Sequence, residues 1–237
     1  MQAARVVGLT LGLASGLGLA SASGATTWHD GDMETFSQVD WGTTPSAGNA
    51  ADLLASNYAS VYASTAGLFE IGIPGPSGFS MLFTNVDDLL NYLPANGSAD
   101  ALDADLIDPA SSAAGTFGGD VVGLRLDVDF SNAALLPGTA PFRFGDLILH
   151  DLSIPAINGL TVRQFEHLDE IALGGATTPF SIDDLNLLTF QVNLAFGAGL
   201  ATQFAQDHLD APVPEPGSLA LLALGTLGLR VVRARRG

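Results

Sequence analysis

The chain has 237 residues, with 25 acidic side chains set against eight arginines, and contains neither lysine nor cysteine. Without a thiol there is no disulfide, no thiol nucleophile, no thiolate zinc site and no iron–sulfur cluster, so stability rests on the core. Every acid except Glu215 lies in residues 26–212, where the basic side chains are Arg125, Arg143 and Arg163; such a body is repelled by nucleic acid and anionic membrane surfaces, and its charge suits solubility.

At the start, Arg5 forms a short positive region, and Val6 to Ala20 carry no charge and are largely apolar. Ala20-Ser21-Ala22 has the small-x-small pattern of a signal-peptidase site, and Ser23-Gly24-Ala25 offers a second. Residues 1–25 are therefore expected to be a signal peptide, with Ala20, Ala22 and Ala25 marking cleavage. A permanent N-terminal membrane helix fits less well with a stretch interrupted by several glycines and serines. Residues 26–212 are expected to form one extracytoplasmic domain, long enough to bury ~70% of its unfolded surface without a staple.

After Trp28, residues 29–36 read as a turn followed by a strand, and Trp41 to Ser46 as a loop. Between Asn49 and Ser64, Leu53, Leu54, Asn57, Tyr58, Val61 and Tyr62 fall at helical spacing. Leu68–Ile73 and Phe79–Thr84 read as strands joined by a turn containing Pro74, Gly75 and Pro76, and Val86–Leu93 as a short helix stopped by Pro94. Residues 95–118 read as a polar loop or peripheral hairpin. In Asp120–Phe130, Val122, Leu124, Leu126, Val128 and Phe130 alternate with Val121, Gly123, Arg125, Asp127 and Asp129, which predicts a half-buried strand. Phe142–His150 reads as a further strand, bulged at Gly145.

The last third changes period. Thr161 and Gln164 have the spacing of a capping box, with Leu160 and Phe165 as the hydrophobic staple and Gly174-Gly175 as the stop. The same grammar recurs from Phe180 and Ser181 through Asp184 and Leu185 toward Gly197, and a short helix is expected over residues 202–209. The predicted class is α+β: a largely antiparallel sheet with C-terminal helices packed against it, flanked by the signal peptide and a C-terminal apolar helix.

Candidate chemistry in the body is sparse. Asp100, Asp103, Asp105 and Asp108 supply hard oxygens for calcium, but the glycine and glutamate of an EF-hand loop are missing. Asp127 and Asp129 would share a strand face and chelate jointly, and Asp30 and Asp32 flank a turn glycine. Each reads more simply as a solvated carboxylate, so no metal residues are assigned, though structural calcium is left open. His29, His150, His167 and His208 do not form a His-Glu-x-x-His pattern. His150 and Asp151, as strand neighbours, would point to opposite faces. Ser77 lacks the second glycine of a nucleophile elbow, and its loop reads as a turn. Glu166, Asp169 and Glu170 fit a wet helix face, and would serve glycoside hydrolysis only from across a cleft. Trp28 and Trp41 are core or rim aromatics, or a platform for a sugar.

The end of the chain reads Val213-Pro214-Glu215-Pro216-Gly217-Ser218, then an apolar run from Leu219 to Leu229, then Arg230, Val231, Val232, Arg233, Arg235 and Arg236. A helix over 218–232 would rise ~22 Å, short of a ~30 Å hydrocarbon core, with Arg230 reaching back to the headgroups and the arginines holding the end on the cytoplasmic side. Pro214 and Pro216 keep the preceding chain extended. This order of Pro-Glu-Pro triplet, apolar run and arginines resembles the PEP-CTERM sorting signal of bacterial envelope proteins; Arg230, inside the apolar run, departs from the usual pattern. The resemblance implies a tail over residues 213–237 recognised and processed by exosortase, with Pro214, Glu215 and Pro216 as the sorting motif and Arg230, Arg233, Arg235 and Arg236 at the membrane boundary. It further implies export in a Gram-negative bacterium, transient membrane anchoring, and association with exopolysaccharide in the envelope or matrix. Together the sequence predicts an exported, non-enzymatic protein with signal peptidase and exosortase as partners and no nucleic acid. The alternative is a secreted carbohydrate-binding or adhesion module supported by calcium.

Overall fold

The computed structural model describes residues 26–212, and its elements assemble around one long central helix. The chain enters through α1 (Gln38–Trp41), capped by Ser37 and Asp40 in a reciprocal box, and α2 (Ala50–Val61), capped by Asn49. β1 (Phe69–Gly72) and β2 (Ser80–Phe83) pair antiparallel, with Phe69 opposite Phe83. After α3 (Val86–Tyr92), β3 (Leu106–Ile107) adds to β2 in parallel, so the presumed loop of residues 95–118 supplies a third strand. The central helix α4 (Gly115–Asn132) follows. A 3-10 turn (Phe144–Asp146) leads to β4 (Ile148–Leu149), which pairs antiparallel with β5 (Leu209–Asp210). Between them lie α5 (Val162–Leu173), α6 (Ile182–Asn193) and α7 (Gln203–His208).

The class is α+β, with helices carrying most of the core and two small sheets at its sides. The expected strand over Asp120–Phe130 is instead the body of α4. Its alternating residues are apolar on one count, yet Val121, Gly123 and Asp127, assigned to the wet face, are buried as well. A helix covered on nearly every side keeps no polar stripe to mark a 3.6-residue period. α1, α5, α6 and the 3-10 turn all pack on α4. The strand expected over residues 142–150 is likewise reduced to β4, since the supposed bulge at Gly145 is the 3-10 turn. Residues 29–36 contribute only one bridge, Thr35 to Gly197, and α1 forms where a loop was expected.

The glycines of α4 explain how neighbours come so close. A Cβ on Gly119 would overlap the Gln38 carboxamide, and one on Gly123 would sit 3.3 Å from the Gln38 backbone nitrogen. Gln38 uses that space to donate to Asp120 at 2.9 Å, while its oxygen accepts from the Ala95 N–H at 2.9 Å. Thus a side chain of α1 joins α4 to the segment after α3.

Both ends of the described chain meet. Thr26 N–H donates to Asp210 at 2.8 Å, and Ala211 N–H donates to the Thr26 hydroxyl at 2.8 Å. The Trp28 indole donates to the Leu209 carbonyl at 2.7 Å and meets Phe196 edge-on.

Candidate functional site

The greatest concentration of charge in the interior lies where α4 crosses α5. Arg125 and Asp129 are one helical turn apart on α4, and Glu166 and Glu170 one turn apart on α5, so each helix presents an i, i+4 pair to the other. The Thr161–Gln164 capping box forms as expected and sets where α5 begins. Arg125 donates to Asp129 at 2.8 Å and to Glu170 at 2.5 Å, with Glu166 at 3.7 Å. The Tyr62 hydroxyl, next to the C-terminus of α2, adds a bond to Asp129 at 3.1 Å, and the Arg125 guanidinium lies 6.0 Å from the Phe69 ring centre. One cation thereby joins α4, α5, the end of α2 and β1. Arg125, Asp129, Glu166 and Glu170, with Val128, Arg163, Gln164 and His167, line an open depression of about 520 Å³.

Glu166, Asp169 and Glu170 do not form a wet face. Glu166 and Asp169 are buried, and Asp169 accepts from the Thr189 hydroxyl of α6 at 2.8 Å. Burial, then the neighbouring Glu170 carboxylate, pushes the Glu166 carboxyl up to about 8, although Arg125 pulls the other way. Burial also holds Asp169 well above the carboxylate range, and the Thr189 bond only partly offsets it. Burial opposes the charge on Arg125, but Asp129, Glu166 and Glu170 outweigh it and raise its pKa. Glu166 Oε1 and Asp169 Oδ1 are buried without a hydrogen-bond partner.

Chemically, this arrangement is a tie. The guanidinium is engaged on two sides, and the carboxylates nearest it serve the interhelical contact. Asp127 and Asp129 do not share a face as expected, because two residues on a helix are separated by ~200°. Asp127 is buried against residues 36 and 41: it accepts from the Phe36 N–H, and the Trp41 indole N–H approaches without closing a hydrogen bond. Burial raises its pKa well above the usual range. Burial raises Asp120 to about 7, with the Gln38 bond a partial counterweight.

The other candidates disperse. Asp105 accepts from Ser80 N–H at 3.0 Å and Asp108 from Thr84 N–H at 2.7 Å, which pins β3 beside β2. Asp32 accepts from His29 N–H within its own turn, and Asp30 accepts from Ala201 N–H, tying that turn to the chain after α6. Among the described residues, no group of three or more His, Cys, Asp or Glu side chains has a metal-holding arrangement. His150 does meet Asp151, with Nδ1 3.2 Å from Oδ2, contrary to the opposite-face expectation: Asp151 has φ +52°, which turns the chain back. Ser77 sits in the turn between β1 and β2. Trp28 and Trp41 are buried core residues and offer no sugar platform. The tie between α4 and α5 was missed in the sequence because it depends on α4 being a helix; the i, i+4 spacing of Arg125 and Asp129 was the available signal.

The expected cleavage residues Ala20, Ala22 and Ala25, the motif Pro214, Glu215 and Pro216, and the boundary residues Arg230, Arg233, Arg235 and Arg236 lie outside the described residues. Among the described residues no helix is long and apolar enough to cross a membrane. Residues 212–236 match the family model of the PEP-CTERM protein-sorting motif, a C-terminal signal that implies recognition by exosortase. This chain carries that signal, which implies export and sorting to the cell envelope. Neither a curated protein nor a solved structure matches the chain.

Proposed function

We propose that the mature protein is a non-catalytic component of the cell envelope or extracellular matrix, delivered there by its sorting tail. Residues 1–25 are removed by signal peptidase, and the short apolar run with its arginines then holds the body at the membrane until exosortase cuts near Pro214-Glu215-Pro216. The released body is an acidic matrix component of an exopolysaccharide-producing Gram-negative bacterium. The sorting motif at residues 212–236 carries this proposal. Two of the carboxylates at the α4–α5 crossing, Asp129 and Glu170, are held by Arg125 and Tyr62, which supports a structural reading of that site.

The test is the intact mass of the protein recovered from the native envelope and medium. The proposal expects an N-terminus after Ala22 or Ala25 and a C-terminus near Pro214, with conversion lost on exosortase deletion or in Pro214→Ala/Glu215→Ala. A full-length C-terminus persisting in the membrane of exosortase-positive cells would overturn it.

A further inference from the structure

Two asparagines of this chain precede a glycine, in Asn96-Gly97 and Asn158-Gly159, and both pairs are exposed. Hydrogen bonding sets them apart. The Asn158 carboxamide is clamped through both of its polar atoms: it accepts from the Leu152 N–H at 2.8 Å and donates to the Leu152 carbonyl at 3.3 Å. The Gly159 N–H is also engaged, donating to the Leu149 carbonyl at 2.7 Å. Asn96 is held only through Nδ2, which donates to the Pro94 carbonyl at 3.0 Å, and among the described residues the Gly97 N–H has no acceptor. The loop around Asn96 nevertheless latches onto the first turn of α4. The Ala95 N–H donates to Gln38, the Gly97 carbonyl accepts from the Thr116 N–H at 3.3 Å, and the Asp100 N–H donates to the Ala114 carbonyl at 3.2 Å.

We propose that Asn96 is a site of spontaneous deamidation in the folded protein, while the fold protects Asn158. The Gly97 amide nitrogen gives up its proton to solvent base and forms a bond to Asn96 Cγ, an approach that the missing Cβ of glycine leaves unobstructed. The Cγ–Nδ2 bond breaks, and that nitrogen takes a proton from water and leaves as ammonia. One water molecule then opens the resulting succinimide. Attack at Cγ returns an ordinary aspartyl peptide; attack at the main-chain carbonyl carbon leaves the chain running through Cγ as an isoaspartyl peptide. The balance is one water in and one ammonia out, with no oxidant or reductant. The aspartyl product adds a negative charge near the amino end of α4, where the helix dipole tolerates it. The isoaspartyl product inserts a carbon into the main chain inside the latch, which moves the Gly97 carbonyl off the Thr116 N–H. This modification is independent of the sorting proposal, which stands or falls on processing in cells.

The test holds the full chain at physiological temperature and slightly alkaline pH and follows both asparagines by peptide-mapping mass spectrometry. The same chain unfolded in guanidinium gives the intrinsic rate of each pair. Relative to those rates, Asn96 in the folded chain should convert at least ~tenfold faster than Asn158, because the bonds to Leu149 and Leu152 must open before Asn158 can react. Equal relative rates would overturn the proposal, and so would an Asn96 that stays intact in the folded chain while the unfolded control converts. Amide hydrogen exchange at Thr116 is a second readout. Its protection should fall in the isoaspartyl form and persist in Asn96→Asp, which carries the charge without the added carbon; equal protection in the two would overturn the effect on the latch.

Discussion

Asp127 accepts the backbone N–H of Phe36 through both carboxyl oxygens, at 3.1 and 3.2 Å, across 91 residues of sequence. A buried carboxyl that accepts from backbone fixes how the N-terminal segment lies on α4. Asp127→Ala should destabilise by ~2–4 kcal/mol, because it strands the Phe36 N–H and opens a hole. Asp127→Asn keeps an acceptor and should cost less than ~1 kcal/mol at pH 6. Urea unfolding of the two variants separates hydrogen bonding from charge; equal losses would show that charge is what matters.

The buried carboxyls give the body an unusual response to pH. Asp120 is pushed up to about 7 and Glu166 to about 8, while unfolded carboxyls titrate near ~4. In the folded state these groups keep protons that the unfolded chain has released. Their contribution is therefore fully present below pH ~4 and is lost as pH rises through the two folded values. Each adds a slope of ~1.4 kcal/mol per pH unit inside its window. Asp127 and Asp169 act in the same direction. The urea midpoint should fall between pH 5 and pH 8.5, and Asp120→Asn or Glu166→Gln should flatten the fall; a midpoint that rises over this range would contradict the assignment.

Arg125 is the cation shared by Asp129, Glu166 and Glu170. Arg125→Met should cost ~3–5 kcal/mol by leaving the buried carboxylates that face it without their cation. Arg125→Lys should recover only part of the loss, because an ammonium cannot serve two carboxylates from a planar fork. Urea denaturation of both variants tests this; equal losses for Arg125→Met and Arg125→Lys would show that the positive charge contributes nothing.

Gly119→Ala should be destabilising, although alanine ordinarily gains ~1 kcal/mol over glycine within a helix. The new methyl would displace Gln38, whose bonds to Asp120 and the Ala95 N–H would break, at a net cost of ~1–3 kcal/mol. Thermal unfolding beside Gly119→Ala/Gln38→Ala, which removes the Gln38 overlap and leaves only the Ala95 Cβ 2.9 Å away, distinguishes overlap with Gln38 from a general helix effect.

How much was legible in the sequence varied with where the signal resides. α5 and α6 announced themselves because Thr161 and Ser181 cap them locally, with Gln164 and Asp184 at the matching third positions. β1 and β2 were clear because Pro74, Gly75 and Pro76 punctuate the turn between them. α4 was hidden: its valines favour strand, its glycines disfavour helix, and its enclosure erased the period that marks an amphipathic helix. The carboxylate tie fell with it, since Arg125 meets Glu166 and Glu170 only if both partners are helices. The sorting motif needs no tertiary context, and so could be read from Pro214 to Arg236 directly.

The clasp between Thr26 and Asp210–Ala211 also bears on the timing of export. Thr26 and Trp28 lead the body of the chain, while their partners Gln206, Leu209, Asp210 and Ala211 are its final residues. In a chain threaded across a membrane from its N-terminus, this seam cannot close until the whole body has passed through. Only then are both chain ends fixed side by side, so a pull on the tail meets the seam before it meets the core.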